Sequence, residues 1–305
     1  MSNLEKIPVT ILTGFLGAGK TTLIRNLIIK NKSKRLAVII NELGDRGVDG
    51  EIVKQCSDKT CPEENILELA NGCICCTVAD DFVPTMQKLI NGKYLPEHIL
   101  IETSGLALPK PLLKAFEWPE IRSKLTVDSV LAVVDAEAVV NGVFAPQMSR
   151  ETEKRQKETY VEHETPLSEV FEDQINCSDI VLLTKPDLVK NPSIARDIIT
   201  KEMERKVPIL EVQSGDIDAD LILGISAAAE TDLENRKSHH DGFDDHEHDD
   251  FETFNVSIPT VSDLENFKIT MKNLINENEV LRIKGFLMVK DRPLNLIVQA
   301  VGKRL

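Results

Sequence analysis

Short aliphatic runs recur along the first two-thirds of the chain and alternate with segments of helical periodicity. The runs end in polar residues and predict strands at 7–13, 36–41, 99–102, 127–135 and 180–184. Between them, the apolar spacing predicts helices at 20–30, 81–90, 111–116, 167–175 and 194–205. Continuous aliphatic strands that alternate with helices are typical of an α/β fold whose mostly parallel sheet is covered on both faces. Ligands of such sheets bind at the carboxyl ends of the strands.

The hydrophobic pattern changes after about Ala229. Residues 230–250 contain almost no aliphatic side chains and are rich in Asp, Glu and His, which predicts a disordered linker. Beyond it, the pattern predicts a strand, a helix and two further strands, in that order: 251–259, 263–276, 280–289 and 294–301. We therefore expect a first domain at 1–229, a linker at 230–250 and a small α+β domain at 251–305. The chain stops soon after the last predicted strand, so the second domain is expected to be incomplete.

Composition and charge exclude several classes of protein. The chain of 305 residues is 42% hydrophobic, which is ample for a buried core, and carries a formal net charge of −14. An acidic surface repels phosphate backbones and anionic lipids, so neither a nucleic acid nor a membrane is an expected partner. With no apolar run of bilayer length and no signal peptide, a cytoplasmic location is expected. Thiols stay reduced there, so the six cysteines are interpreted as ligands, redox groups or core residues.

A phosphate-binding loop follows the first predicted strand. The residues of its G-x-x-x-x-G-K-[ST] pattern, with the next threonine, are Gly14, Phe15, Leu16, Gly17, Ala18, Gly19, Lys20, Thr21 and Thr22. A strand before the pattern and a helix after it are the setting that supports this motif. Backbone N–H groups would hold the phosphates, Lys20 would contact the β- and γ-oxygens, and Thr21 would bind Mg²⁺. A glycine-rich turn that binds nothing is the alternative.

Two further segments are candidates for the γ-phosphate and Mg²⁺ region. Glu102 ends a predicted strand, where its carboxylate would face Mg²⁺, and Gly105 would offer its N–H to the γ-phosphate. The polar loop 41–50 is expected to become ordered around Mg²⁺ and the γ-phosphate. Its Asp45 and Asp49 are alternative candidates for the outer Mg²⁺ shell or for activating water. The alternative for Glu102 is a solvent-exposed glutamate at a strand end, and the alternative for 41–50 is an ordinary polar loop. The candidate catalytic residues are Lys20, Glu102 and Asp45.

The end of the strand at 180–184 indicates which base is bound. Thr184-Lys185-Pro186-Asp187 resembles the N-K-x-D guanine motif of GTPases, with threonine in the first position. The Asp187 carboxylate would accept hydrogen bonds from guanine N1–H and N2–H₂, a pair of donors that adenine lacks. The Lys185 stem would lie over the base, and the shorter Thr184 is expected to weaken binding. A strand-to-turn sequence broken by Pro186 is the alternative.

Three thiols within four residues predict a metal site. Cys73, Cys75 and Cys76 follow the turn-forming pair Asn71-Gly72, and thiolates favour Zn²⁺, Cu⁺ and other soft or borderline ions. A redox dithiol and inert buried thiols are the alternatives. Candidate accessory ligands are Glu42, Cys56, Cys61, His239, His240, His246 and His248. The four histidines belong to the predicted linker, which is equally consistent with a merely solvated acidic segment. Cys177 stands alone on a helical pattern and is expected in the core.

Taken in order, these motifs resemble those of the CobW-type metallochaperone GTPases from about residue 7 onwards. Segments 61–86 and 106–120 are closest to the CobW branch of cobalamin biosynthesis. The resemblance implies a P-loop G domain and a small C-terminal domain, joined by a His-rich segment. It also implies GTP and Mg²⁺ as ligands, a metal on the C-x-C-C thiols, and Co²⁺ delivered to a cobaltochelatase subunit. Thr184, where the family has Asn, and the short C-terminus depart from the pattern.

The mechanism expected from this resemblance links the nucleotide to the metal. MgGTP would order loop 41–50 and bring the thiols into ligating geometry, and hydrolysis would release the ion. Affinity alone favours Zn²⁺ over Co²⁺, so cobalt rests on the resemblance. The alternatives are the same machine for zinc or nickel, a P-loop small-molecule kinase with a structural zinc, and a metal buffer that uses only the His-rich linker. The guanine motif argues against the kinase.

Overall fold

The computed structural model describes residues 6–41, 48–69, 82–142, 167–239, 254–278, 280–301 and 305. Within these residues, seven strands form one sheet: β1 (Ile7–Thr13), β2 (Leu36–Asn41), β3 (Ile66–Leu69), β4 (His98–Glu102), β5 (Leu125–Asp135), β6 (Ile180–Thr184) and β7 (Ile209–Val212). Their order is β3-β2-β4-β1-β5-β6-β7, and every neighbouring pair is parallel. The sequence-based prediction of a parallel α/β sheet is confirmed.

Helices cover both faces of this sheet. Their bounds are α1 (Lys20–Lys30), α2 (Val48–Lys54), α3 (Val83–Ile90), α4 (Pro109–Ala115), α5 (Pro119–Arg122), α6 (Ala136–Val140), α7 (Leu167–Asn176) and α8 (Pro192–Glu202). On one face α3, α4 and α5 pack against β1 and β4, and on the other α1 packs its Leu23, Ile24 and Leu27 against β2 and β5. A third cluster joins α6, α7 and α8 to Phe15 and Leu16 of the phosphate loop. The loop is therefore anchored in the core.

Two strands were not predicted from the sequence, and both lie at the edges of the sheet. β3 and β7 have four residues each, and each includes a glutamate, Glu68 or Glu211, among its aliphatic residues. Edge strands are covered on fewer sides, so their sequences need not be continuously apolar. The central strands β1, β2 and β6 have the bounds that their aliphatic runs predict.

The predicted loop 41–50 is partly helical, because α2 begins at Val48. Asp49 therefore sits in the first turn of a helix, where a carboxylate interacts favourably with the helix dipole. Asp45 and Glu42 lie outside the described residues.

The sequence predicts a linker from residue 230, but the structure packs residues 229–239 against the seven-stranded sheet and its helices. We call this sheet with its helices the sheet unit. Glu230 is buried, and its carboxylate accepts hydrogen bonds from Val127 N at 2.9 Å and Thr126 Oγ1 at 2.7 Å. Arg236 is also buried and donates to the Cys177 carbonyl and to Asp179. The polar side chains of this segment, whose composition predicts disorder, form hydrogen bonds here with buried backbone groups. Residues 240–253 lie outside the described residues.

The second unit contains α9 (Leu264–Glu277) and a hairpin of β8 (Arg282–Leu287) and β9 (Leu296–Val301). The two strands are antiparallel, with Arg282 opposite Val301. The strand predicted at 251–259 does not form over its described part, 254–259, although the neighbouring Val261 bridges to Val289. Among the described helices, none combines the length and the apolar character needed to cross a bilayer.

Candidate functional site

The phosphate loop connects β1 to α1 at the carboxyl edge of the sheet. Gly14 has φ +132°, and a Cβ there would collide with the Val133 carbonyl of β5, so only glycine fits. Lys20, the first residue of α1, folds back over the loop and donates to Gly14 O at 2.6 Å and Phe15 O at 3.2 Å. The predicted loop is therefore compact, and two of its carbonyls hold the Lys20 ammonium group. From this position a lysine can reach phosphate oxygens.

Lys20 lies among other charged groups. Burial lowers the pKa of its ammonium group to about 8, the carboxylate of Glu102 opposes that shift, and the guanidinium of Arg282 adds to it. An ammonium group that is desolvated and close to another cation gains from an anionic ligand. Lys20 is therefore suited to bind phosphate.

Three oxygen donors converge beside Lys20. Thr21 Oγ1 lies 2.9 Å from Asp49 Oδ1 and 3.1 Å from Glu102 Oε1, so its single hydroxyl proton is shared between the two carboxylates. Both carboxylates are buried, and they reach Thr21 from different elements, Asp49 from α2 and Glu102 from the end of β4. One hydroxyl and two carboxylates form the hard oxygen set that Mg²⁺ prefers. This donor set fits the predicted Mg²⁺ site and favours Asp49 as a member of it.

The segment after Glu102 approaches the phosphate loop closely. A Cβ on Gly105 would lie 2.6 Å from the Leu16 amide nitrogen, so a side chain at 105 would displace one of the two backbones. Gln174 of α7, which sequence analysis missed, donates through Nε2 to Gly105 O and Ala107 O, both at 3.2 Å. Gly105 is thus fixed next to the phosphate loop, where its N–H would donate to the γ-phosphate as predicted.

The guanine-motif residues follow β6 on the same edge of the sheet. Thr184 Oγ1 donates to Ala18 O at 2.6 Å and Val134 O at 3.1 Å. Lys185, with φ +53°, donates to Gly17 O and to Asp135 Oδ2, both at 2.7 Å. Asp187 is exposed in the 3-10 turn that follows. The first two residues therefore tie this segment to the phosphate loop and leave the Asp187 carboxylate accessible.

Two basic residues of the second unit also reach this site. Arg282 Nη2 lies 2.7 Å from Asp49 Oδ2, and Lys284 Nζ pairs with Asp49 Oδ1. Neither residue was predicted from the sequence to belong to this site. Their spacing of two on a predicted strand was a signal that both side chains point to one face, but nothing in the sequence indicates which surface that face meets.

The predicted thiol site Cys73, Cys75 and Cys76 lies outside the described residues, as do His240, His246 and His248. Of the accessory candidates, Cys61 is buried among apolar side chains, and burial together with the charge of Asp58 raises the pKa of its thiol to about 12. Cys56 is half-buried, and its thiol lies 3.9 Å from Ile52 O. The setting of Cys61 favours a neutral core thiol over a metal-binding thiolate. Cys177 is buried, as predicted for a core residue.

His239 is held by carboxylates of α7. Its Nδ1 lies 2.7 Å from Asp173 Oδ1 and its Nε2 lies 3.3 Å from Glu172 Oε2. Burial works against protonation, but the hydrogen bond and charge of Asp173, with Glu172 and Glu169, raise the pKa of His239. No group of three or more His, Cys, Asp or Glu side chains suited to a metal ion occurs in the part of the chain that the structure describes.

The parallel sheet, the phosphate loop and the oxygen cluster around Thr21 place this chain in the class of P-loop GTPases. The sequence model of a family described as "CobW/HypB/UreG, nucleotide-binding domain" matches residues 8–211. The chain belongs to this family, and the resemblance noted in the sequence is confirmed.

Two relatives that match the whole chain agree with this assignment, and a solved structure has the same fold. A Sinorhizobium protein named zinc chaperone CobW is 46% identical over 310 residues, which cover 100% of this chain and 88% of that protein. Its namesake in Pseudomonas aeruginosa is 45% identical over 315 residues, covering 100% and 83%. A crystal structure of a Zn(II)-bound triple mutant of the YjiA GTPase matches with a TM-score of 0.50 at 23% identity, covering 98% of this chain and 87% of that one. The last comparison supports the fold alone.

Proposed function

We propose that this GTPase carries zinc to an acceptor protein, with the ion on Cys73, Cys75 and Cys76, and that the bound nucleotide controls the metal. Two relatives that match the whole chain are named zinc chaperones. Thiolates suit Zn²⁺, and the affinity order of divalent ions places Zn²⁺ above Co²⁺. Cobalt delivery to a cobaltochelatase subunit, which the resemblance to the CobW branch implies, stays a prediction.

The observation that carries this proposal is a short path from the oxygen cluster to the cysteine segment. Asp49 accepts a hydrogen bond from Thr21, and the next residue, Gly50, lies directly under the side chain of Glu68, where a Cβ would overlap the carboxylate. Lys54 of the same helix is 3.7 Å from Glu68 Oε1. Glu68 lies near the end of β3, five positions before Cys73. A shift of α2 would therefore displace the strand that leads into the thiols.

The residues of the phosphate site account for GTP binding. Lys20 would exchange the carbonyls of Gly14 and Phe15 for phosphate oxygens, and backbone N–H groups of the loop and of Gly105 would donate to the phosphates. Thr21, with Asp49 and Glu102 around its hydroxyl, would hold Mg²⁺, which neutralises phosphate charge when bound. Asp187 would select guanine.

Hydrolysis needs a positioned water molecule near the γ-phosphate. Glu102 is buried at the end of β4, beside the Thr21 hydroxyl, and its carboxylate can accept a hydrogen bond from such a water. The water oxygen would attack phosphorus while the bond to the GDP oxygen breaks, giving GDP and phosphate. Asp45 stays a second candidate for positioning the water.

Metal competition tests the proposed cargo and its ligands. A chromophoric chelator competes with the full chain for Zn²⁺ and, in parallel, for Co²⁺, with MgGTP present. Cys73→Ser is expected to lose most of the affinity, since one thiolate of three is removed, and Cys177→Ala, which removes a buried core thiol, should bind as the wild type does. Zn²⁺ binding that is unchanged in Cys73→Ser would contradict the thiol site, and preferential retention of Co²⁺ would replace zinc by cobalt as the cargo.

A further inference from the structure

One face of the β8–β9 hairpin packs against the nucleotide site. Arg282 and Lys284 of β8 both pair with Asp49. On β9, Val301 stands opposite Arg282, and its methyl groups lie against Gly17, where they leave no room for a Cβ. Cross-strand neighbours project from the same face of a hairpin. The second unit therefore contacts the phosphate loop and the oxygen cluster together.

These ion pairs are shielded from water. The side chains of Asp49 and Lys284 are 5% and 6% exposed, and that of Arg282 is 28% exposed. In contrast, the side chains of Lys268 and Glu265, which pair on α9 of the same unit, are 48% and 77% exposed. Separating a buried pair leaves a desolvated charge, whereas exposed pairs contribute little. The ammonium group of Lys284 will therefore stay on Asp49 unless another cation compensates the carboxylate.

The oxygen that Lys284 occupies belongs to the predicted Mg²⁺ site. Asp49 Oδ1 pairs with Lys284 and also shares the hydroxyl proton of Thr21 with Glu102. A carboxylate that already neutralises an ammonium group attracts a second cation, or its bound water, less strongly. Lys284 and Mg²⁺ are thus competitors for the same negative charge.

We propose that Arg282 and Lys284 are positioning residues of the nucleotide site, which hold Asp49 in the nucleotide-free protein and release it when Mg²⁺ and a guanine nucleotide bind. Released from Lys284, Asp49 is free to interact with the water shell of Mg²⁺. Nucleotide occupancy then sets how tightly the second unit is docked. This inference rests on the proposed function, because it assumes Mg²⁺ and guanine nucleotide in the phosphate loop.

The test compares Lys284→Met with Lys268→Met, each of which removes one positive charge from the second unit. Binding of the fluorescent nucleotide mant-GDP to the full chain is followed while Mg²⁺ is varied. Lys284→Met is expected to lower the Mg²⁺ concentration at half-maximal binding about tenfold, equivalent to roughly 1.4 kcal/mol. Lys268→Met should keep the wild-type value, since its ion pair is exposed. An unchanged Mg²⁺ requirement in Lys284→Met would overturn the inference.

Hydrogen exchange of the wild-type chain gives a second readout that does not depend on how a variant folds. Amides of Arg282–Leu287 and Leu296–Val301 are expected to exchange faster with Mg²⁺ and GDP than in EDTA, because the hairpin loses its hold on Asp49. Equal exchange in the two conditions would overturn the inference. If the wild-type chain failed to bind mant-GDP at any Mg²⁺ concentration, the assignment of the phosphate site itself would fail, which is a different outcome.

Discussion

At the scale of single residues, the guanine motif is tied to the phosphate loop by its first two residues. Thr184 stands where the pattern has asparagine, and its hydroxyl donates to the Ala18 carbonyl of the phosphate loop. Lys185 reaches the same loop at Gly17 and is held by Asp135, which also caps α6 through Glu137 N and Ala138 N. The segment is therefore positioned by the loop and by the end of β5, and we propose that Asp187 selects the base.

Asp187→Asn is expected to weaken GTP binding and to admit xanthosine triphosphate. The carboxylate can accept from both N1–H and N2–H₂ of guanine, and an amide there repels one of these donors. The loss for GTP should be about 10- to 100-fold, given the strength of hydrogen bonds to charged groups. Affinities are measured by competition with mant-GDP, with Asp197→Asn, an exposed aspartate of α8, as the control. If Asp187→Asn bound GTP as the wild type does, guanine selection by this residue would be wrong.

At the scale of elements, the segment 229–239 closes the sheet unit at the end where β5 begins. Glu230 joins it to Thr126 and Val127, and Arg236 joins it to the end of α7. These contacts replace water around buried backbone groups. Loss of one partner leaves such a group unsatisfied, which costs more than the net value of the hydrogen bond.

Glu230→Ala is expected to destabilise the protein by about 1–3 kcal/mol, because Val127 N–H loses its buried acceptor. The exposed Glu234, in the next turn of the same segment, supplies the control substitution Glu234→Ala, which should change stability by less than about 0.5 kcal/mol. Urea denaturation of the full chain gives both values. Equal stability of the two variants would show that the segment is not part of the folded unit.

A buried histidine links β4 to β1 and is expected to make stability depend on pH. His98 Nε2 lies 2.8 Å from Thr10 Oγ1, and burial lowers the pKa of His98 to about 4, an effect that Asp128 opposes and Lys34 reinforces. The unfolded chain binds this proton near pH 6.5, so the stability from neutral His98 is complete above that pH. It falls as the pH drops towards 4, by up to roughly 3 kcal/mol.

His98→Gln is expected to remove this part of the acid sensitivity, because glutamine keeps a donor for Thr10 and does not titrate. The free energy of unfolding should therefore fall less steeply between pH 6.5 and pH 4 in the variant than in the wild type. Urea midpoints across that range provide the comparison. Parallel curves for the two proteins would assign the acid sensitivity to other groups.

How far the elements follow from the sequence depends on how many faces each one buries. β1, β2 and β6 are buried on both faces, so their aliphatic runs mark their bounds directly. The edge strand β3 is interrupted by Glu68, and the start of α2 mixes glycine, acidic and apolar residues, so neither carries such a signal. The segment 230–239 has a composition typical of disorder, and only its contacts with buried groups such as Val127 N–H reveal why it is ordered.

At the scale of the whole molecule, the site is assembled from residues far apart in the sequence. The motif residues Lys20, Thr21 and Glu102 were predictable, because each follows or ends a strand at the same edge of a parallel sheet. Arg282 was not, since it reaches Asp49 across 233 positions of the chain. A local pattern predicts which groups can do chemistry, and the packing of the second unit decides which of them meet.

The nucleotide site also contacts two other parts of the protein, the β8–β9 hairpin and the strand β3 that leads to the cysteine segment. Asp49 interacts with Thr21 on one side and with the hairpin on the other, and the adjacent Gly50 supports Glu68 of β3, which precedes the cysteine segment. If the nucleotide alters the affinity for the metal through these contacts, the metal must alter the affinity for the nucleotide by the same factor. Nucleotide and metal are therefore expected to be coupled in both directions.

The most direct test of this coupling is the affinity for Zn²⁺ measured with each nucleotide bound. The full chain is titrated with Zn²⁺ in competition with a chelator, once with Mg²⁺ and a non-hydrolysable GTP analogue and once with Mg²⁺ and GDP. Tighter binding with the GTP analogue is predicted, by about 5- to 150-fold, the usual range for coupled sites. Equal affinities in the two states would contradict a nucleotide-gated metal carrier.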